Sequence, residues 1–253
     1  MIWLHQSALY LHIAVGIVAL IIFWVPALSK KGSVNHKRVG RIFALIMYTV
    51  GWSGVLMASL DLWRPLTMHP AADVTTPESQ VAISAGIRST ATFLLSLSIL
   101  VLTATRHGWL VIRGKEDRRI LRKPSQVALC LALLAAGLTL LVVGARGGNT
   151  LLLIFGALET WLAIGYLRYS FKADLAHPKE WWIEHLGALI VGGISAYTAF
   201  FVVGAASLLE PLLQSGSFAG LGIVFWVAPG VIGGFAIARL SRKYRLRFTA
   251  KPG

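Results

Sequence analysis

Three ionisable side chains lie inside long apolar stretches of the chain, at His12, Arg88 and Glu159. A charge in the hydrocarbon core of a membrane is costly, so such residues are functional candidates by default. An arginine beside a glutamate lowers the cost of burying both charges, and a histidine can join such a network and titrate near neutral pH. In this interpretation Arg88 binds an anionic group, Glu159 carries a proton or a countercharge, and His12 hydrogen-bonds or titrates.

Two further polar residues reach a similar depth in neighbouring apolar stretches, Ser53 and Tyr197. With the three ionisable residues they predict a polar site for a bound or transported small molecule, or for a proton, in the outer half of a helical bundle. His5 and His12 are seven residues apart and therefore share one face of the first helix, which we expect to point into the bundle. An ion pair that merely fixes the register of two helices explains the same residues equally simply.

Histidines near the ends of the apolar stretches predict a second kind of site. A b-type haem takes two axial ligands from different helices at matching depth. His36 and His185 meet this condition on one side of the membrane, and His12 with His69 form a looser candidate pair on the other. Interfacial histidines that contact lipid headgroups or cap helices are the alternative explanation.

A lipid-modifying enzyme is a third interpretation, in which His36, Glu184 and His185 meet headgroups beside basic residues. Other chemistries find no matching pattern, because the sequence has no H-E-x-x-H, G-x-S-x-G or P-loop motif. The last apolar stretch also has no lysine that could carry retinal. No metal site is predicted, and enzymatic activity stays open.

Membrane-spanning helices are the elements that must position these residues. The chain has 253 residues, of which 56% are hydrophobic and 13% charged, whereas soluble domains average about 45–50% and about 25%. A helix needs about 20 apolar residues to cross a hydrocarbon core of about 30 Å, and helices satisfy their backbone groups internally. Seven stretches of this length predict an all-α, seven-helix transmembrane bundle that forms a single domain over residues 1–253: Ala8–Ser29, Gly40–Leu60, Ile83–Thr105, Gln126–Ala145, Thr150–Ser170, His185–Ser207 and Phe218–Leu240.

The positive charges indicate how the bundle is threaded. Of the 24 lysines and arginines, 21 fall in segments that share one side when the amino terminus is outside: Lys30–Arg41, Arg106–Lys123, Arg168–Glu184 and the tail from Arg239. Basic loops remain cytoplasmic and favour anionic headgroups. This uneven placement predicts an external amino terminus and a cytoplasmic carboxyl terminus. It also explains the net charge of +14 by a lipid partner, and no nucleic-acid partner is predicted.

Short polar motifs recur beside the first, second and sixth stretches. They are L-H-x-x-x-G at His12, K-G at Lys31, H-x-x-x-G-R at His36, and EHLGALIVGGISAYTAF, which contains His185. In this layout the chain resembles a family of uncharacterised bacterial seven-span membrane proteins of unknown function. The resemblance implies a multi-pass protein of the bacterial inner membrane, and it implies no activity.

Overall fold

The computed structural model describes residues 1–70, 76–177, 179–201 and 222–249. Within these ranges the chain is helical and contains no strand, which confirms the predicted all-α class. A 3₁₀ helix, Arg118–Arg122, accompanies eight α-helices, which are α1 (Ile2–Leu28), α2 (Val34–Trp63), α3 (Pro65–Met68), α4 (Pro77–Gly114), α5 (Pro124–Gly147), α6 (Thr150–Phe171), α7 (Glu180–Ala199) and α8 (Gly222–Thr249).

Five helices of the described chain are long and apolar enough to cross a membrane, namely α1, α2, α4, α5 and α6. They have between 22 and 38 residues, and about 20 suffice for a span. These helices indicate that the chain is a membrane protein. The predicted sixth and seventh spans, His185–Ser207 and Phe218–Leu240, overlap α7 and α8, and residues 202–207 and 218–221 lie outside the described ranges. The count of seven spans and the orientation of the termini stay predictions.

Helix α4 extends beyond the predicted span Ile83–Thr105 at both ends. Proline is favourable in the first turn of a helix, where its missing N–H would have no partner in any case, and Pro77 begins α4. With 38 residues and a rise of about 1.5 Å per residue, the helix is about 57 Å long. This exceeds an apolar core of about 30 Å, so α4 also carries the polar residues that follow the apolar stretch, among them His107.

The described helices pack as two compact units. The first unit comprises Met1–Val18, Leu45–Thr103 and Pro124–Tyr169, and the second comprises Ala19–Ala44, Ala104–Lys123 and Ser170–Gly253. The single domain over residues 1–253 stays a prediction.

Close helix packing in the first unit depends on two glycines, Gly137 of α5 and Gly156 of α6. A β-carbon added at Gly137 would lie 2.9 Å from the carbonyl oxygen of Gly156, and one added at Gly156 would lie 2.8 Å from the carbonyl oxygen of Gly137. Small residues let the backbones of membrane helices approach this closely. The two helices therefore cross at these glycines.

Aromatic contacts join α7 and α8 in the second unit. The ring of Trp182 lies 5.2 Å from the rings of both Tyr244 and Phe248, measured between centroids. Aromatic pairs at this separation add to the free energy gained from burial alone. They hold the start of α7 against the end of α8.

Candidate functional site: a histidine-lined cavity

A cavity of about 710 Å³ lies in the second unit, between the end of α1, the start of α2, and helices α7 and α8. Small-molecule and cofactor sites usually have volumes of about 300–1,000 Å³. The walls are mainly aliphatic and aromatic, with Phe23, Phe43 and Leu189 among them. His36 and His185 both line this cavity, together with Lys31, so the structure brings the two predicted haem ligands to one space.

His36 is positioned by the end of α1. The last carbonyl groups of a helix have no partner within the helix and need other donors. Nδ1 of His36 lies 3.0 Å from the carbonyl oxygen of Pro26, and Nζ of Lys31 donates to the carbonyl oxygens of Pro26 and Ala27 at 2.8 and 2.6 Å. Gly32, at φ +82°, allows the turn that carries the chain from α1 back to these carbonyls.

His185 is positioned by a close approach of α7 to α4. Its Nδ1 lies 2.8 Å from the carbonyl oxygen of Gly108. A β-carbon added at Gly108 would lie 2.9 Å from the side chain of Leu189 and 3.2 Å from that of Ala188. The hydrogen bond therefore depends on the absence of a side chain at position 108.

These two contacts determine which ring nitrogen of each histidine carries the proton. A carbonyl oxygen only accepts hydrogen bonds, so Nδ1 of His36 and Nδ1 of His185 must be the donors. In the neutral ring, Nε2 then carries a lone pair, and within the described chain it has no protein partner in either residue. Nδ1 bonded to a backbone carbonyl is also the arrangement that orients histidines as metal ligands.

Lys31 gives the cavity a positive charge. Burial lowers the pKa of its ammonium group. The two carbonyl groups use two of its three N–H donors, so one donor remains for a ligand. The lining residues of the described chain include no aspartate or glutamate, so the cavity suits an apolar ligand with an anionic edge.

Glu184 does not join His36 and His185 in the way that the lipid-modifying interpretation requires. Its Oε1 lies 2.7 Å from Nε2 of His107, a buried residue of α4, and it is not among the lining residues of the cavity. Neighbouring positions on a helix point about 100° apart, which separates Glu184 from His185. The predicted trio is therefore not one catalytic constellation.

Tyr197 lines the same cavity, and its hydroxyl group is bonded within the second unit. It accepts a hydrogen bond from Nε1 of Trp24 at 2.6 Å and donates to the carbonyl oxygen of Leu20 at 2.8 Å. Neither partner belongs to the polar site that the sequence predicts. Tyr197 is part of the cavity wall instead.

The predicted polar site forms only in part. In the first unit, Nδ1 of His12 lies 2.9 Å from Oγ of Ser53, so these two residues do meet. Arg88 is exposed, and its Nε donates to the carbonyl oxygen of Leu62 at 3.2 Å. Glu159 is fully buried, and its carboxyl group lies beside Ser96.

The structure therefore does not pair Arg88 with Glu159. Sequence depth alone places both residues within the bundle, but Arg88 faces outward from α4, where its guanidinium reaches the end of α2. A ligand-binding or proton-carrying role for His12, Arg88 and Glu159 stays a prediction.

His5, Asp61 and His69 form a cluster in the first unit that the sequence analysis does not predict. In it, His69 contacts Asp61 and not His12. Nε2 of His69 lies 2.9 Å from Oδ1 of Asp61, and Nε2 of His5 lies 3.0 Å from the same oxygen. The predicted outer haem pair, His12 with His69, is therefore not what the structure brings together. The sequence feature that indicates this cluster is the shared face of His5 and His12 on α1. Both residues contact α2, His5 at Asp61 and His12 at Ser53.

A comparison of the chain with known protein families, with curated proteins and with solved structures finds no match. The resemblance to uncharacterised bacterial seven-span membrane proteins stays a prediction.

Proposed function

We propose that the protein binds a b-type haem in the histidine-lined cavity, where His36 and His185 would hold its iron. One observation carries this proposal. Both rings donate through Nδ1 to a backbone carbonyl, which leaves Nε2 for a ligand, and both residues line the same apolar cavity. Haem iron is held by such imidazole nitrogens.

The other walls of the cavity suit the rest of the cofactor. Aromatic and aliphatic side chains, Phe23, Phe43 and Leu189 among them, would exclude water from the porphyrin faces, and an apolar surrounding tunes the redox potential of a bound metal. Lys31 would pair with a propionate, since a charge-assisted hydrogen bond is about twice as strong as a neutral one. Bound haem supplies one-electron transfer, and the residues of the chain hold and orient it.

A transport-like role for the outer half of the bundle was the leading interpretation of the sequence. It has less support than haem binding, because Arg88 and Glu159 do not meet. The lipid-modifying interpretation has less support for a similar reason, since Glu184 is bonded to His107.

The membrane placement belongs to the same proposal. We infer a multi-pass protein of the bacterial inner membrane with seven spans, an external amino terminus and a cytoplasmic carboxyl terminus. The support is the placement of 21 of 24 basic residues in four segments, which keeps those segments in the cytoplasm beside anionic headgroups. A cytoplasmic reporter fused after Gly253 should be active, and a periplasmic reporter inserted at Pro77 should be active; the reverse pattern would overturn the orientation.

The haem proposal is tested by absorption of the purified full-length protein after expression with a haem precursor. We expect a Soret band and a sharp α band on reduction, and the loss of both bands in His36→Ala and in His185→Ala. His177→Ala is the matched control, because His177 lies before α7 and outside the cavity lining. His107 is a poorer control, since it pairs with Glu184 next to His185.

Two outcomes would overturn the proposal. The first is wild-type protein that shows no Soret band, even after titration with haemin in detergent. The second is an unchanged spectrum in both histidine variants, which would place any haem elsewhere. A variant that fails to fold is recognised by a loss of helical circular dichroism. The same histidine is then replaced by methionine, which can also bind haem iron, and a shifted haem absorption spectrum shows that this position is a ligand.

A further inference from the structure

His5, Asp61 and His69 form a compact group of potential metal ligands in the first unit, separate from the haem proposal. One ligand atom from each residue, two imidazole nitrogens and one carboxylate oxygen, lies within 4.8 Å of the other two. We propose that this group binds a divalent transition-metal ion, with Zn²⁺ as the best-matched example. Two histidines and one carboxylate are the protein ligands of many catalytic zinc sites.

The backbone holds two of the three ligands rigidly. His5 lies in the first turns of α1 and Asp61 in the last turn of α2, and both are buried. His69 follows directly after α3, where its N–H donates to the carbonyl oxygen of Pro65 at 2.9 Å. The short helix after α2 thus returns the chain to the carboxylate of Asp61, and the third ligand closes the group from the exposed side.

The environment of Nε2 of His5 favours a bound metal ion over a hydrogen bond. The residue is buried, with a relative exposure of 6%. Nε2 of His5 lies 3.0 Å from Oδ1 of Asp61 but has no hydrogen-bond partner in the described chain, because the direction of approach does not suit a hydrogen bond. A buried ring nitrogen without a partner is costly, and a metal ion beside it would accept the lone pair.

The distances fit a small ion after a minor adjustment. Zinc bonds to nitrogen and oxygen of about 2.1 Å in a tetrahedron place neighbouring ligand atoms about 3.4 Å apart. The two histidine nitrogens lie 3.0 and 2.9 Å from Oδ1 of Asp61. Each would therefore have to move away from this oxygen by about 0.4–0.5 Å to reach the spacing of tetrahedral zinc ligands. The side chain of His69 has a relative exposure of 47%, so it has room to move.

The balance of charge also favours a cation. Asp61 is buried, and its ion-pair partners in the described chain are the two histidines, with no lysine or arginine among them. With both histidines neutral the group has one negative charge. Buried charges are normally paired or coordinate metals, and a divalent ion would satisfy the carboxylate and both imidazole nitrogens together. The exposed side would leave a fourth position for water.

The test uses full-length protein with its affinity tag removed, stripped with a chelator and titrated with Zn²⁺ alone. We expect one bound zinc ion per chain, measured by elemental analysis after desalting, and a rise of several degrees in the melting temperature. His5→Gln, Asp61→Asn and His69→Gln should each weaken zinc binding by more than about 100-fold, because loss of a group that only supports a ligand already costs about 10–100-fold. His177→Gln should bind zinc like the wild type.

His69→Gln keeps the proposal testable if the buried variants do not fold, since His69 is at the exposed side of the group. Wild-type protein that binds no zinc would overturn the proposal. Zinc bound equally by wild type and by His69→Gln would also overturn it, because the ion would then sit elsewhere. Neither result depends on haem, so failure here is distinct from failure of the proposed function.

Discussion

The two histidine sites use the same side chain in opposite ways. His36 and His185 each donate through Nδ1 to a backbone carbonyl, and both residues line the cavity. In the cluster, the Nε2 atoms of His5 and His69 both turn toward one oxygen of Asp61. The bond made by one ring nitrogen therefore decides what the other nitrogen can bind.

The space beside the nitrogens differs as much as their orientation. The cavity holds about 710 Å³, enough for a large flat molecule, whereas the ligand atoms of the cluster lie within 4.8 Å of one another and leave room for a single ion. One site suits a cofactor held through its metal and its faces. The other suits a bare ion held through its charge.

Independence of the two sites gives the largest expected effect. The double variant His36→Ala with His185→Ala should lose the Soret band completely and retain zinc binding. His69→Gln should do the reverse, because the residues of each site belong to separate compact units. Absorption and zinc content, measured on the same preparation, check both statements; a variant that loses both ligands would show that the sites are not independent.

A smaller loss of haem is expected when the anchor of His185 is disturbed. Gly108→Ala should weaken haem binding by about 2- to 10-fold, because the loss of one hydrogen bond costs about 0.5–1.5 kcal/mol. The new methyl group would push Ala188 and Leu189 away from α4 and draw Nδ1 of His185 from the carbonyl of Gly108. Haemin titration followed at the Soret band measures this.

Gly187→Ala is the matched control for Gly108→Ala. An added β-carbon at Gly187 meets Ile237 at 3.9 Å, an ordinary contact, so haem affinity should stay at the wild-type value. Equal losses in the two variants would mean that helix flexibility, and not the anchor of His185, controls binding.

The sequence predicts the helices well and the side-chain partners poorly. Long apolar runs fix where helices such as α1 and α5 can form, because a helix in lipid satisfies its own backbone. The contacts of a side chain depend on the rotation and the register of its helix. Hydrophobicity does not predict these for a residue such as Arg88. The sequence predicts His36 and His185 as a pair because both lie at the same depth in the membrane. Asp61 lies one residue beyond a predicted span, and nothing in the sequence singles it out as a ligand.

His12 offers a third case, in which a hydroxyl group replaces the carbonyl or the carboxylate. Oγ of Ser53 donates to the carbonyl oxygen of Thr49 at 2.7 Å, so it accepts from Nδ1 of His12 at 2.9 Å. Ser53→Ala should lower the free energy of unfolding by about 1 kcal/mol, since one hydrogen bond is lost. Unfolding in detergent, followed by circular dichroism, measures the change.

Ser195→Ala is the control for Ser53→Ala. Ser195 is also buried, but its hydroxyl group bonds to the carbonyl oxygen of Val191 in its own helix. Such bonds within a helix add little stability, so this variant should differ from the wild type by less than about 0.5 kcal/mol, as ordinary neutral substitutions do. Equal effects of the two alanines would show that the contact with His12 contributes nothing.

The smallest effect is expected for the pair that sequence depth brought together, Arg88 and Glu159. If they formed a buried ion pair, Glu159→Gln would orphan a charge and cost about 3–5 kcal/mol, and Arg88→Met would restore much of that loss. In the structure Arg88 is exposed and bonded to the carbonyl of Leu62, while Glu159 is buried beside Ser96. Glu159→Gln therefore orphans no arginine, and the amide keeps the shape of the carboxyl group. The free-energy changes of the two single variants should add in the double variant to within about 0.3–0.5 kcal/mol. A double-mutant cycle on unfolding in detergent measures the coupling, and a value above about 1 kcal/mol, well outside the range for independent sites, would restore the ion pair and with it the polar site that the sequence predicts.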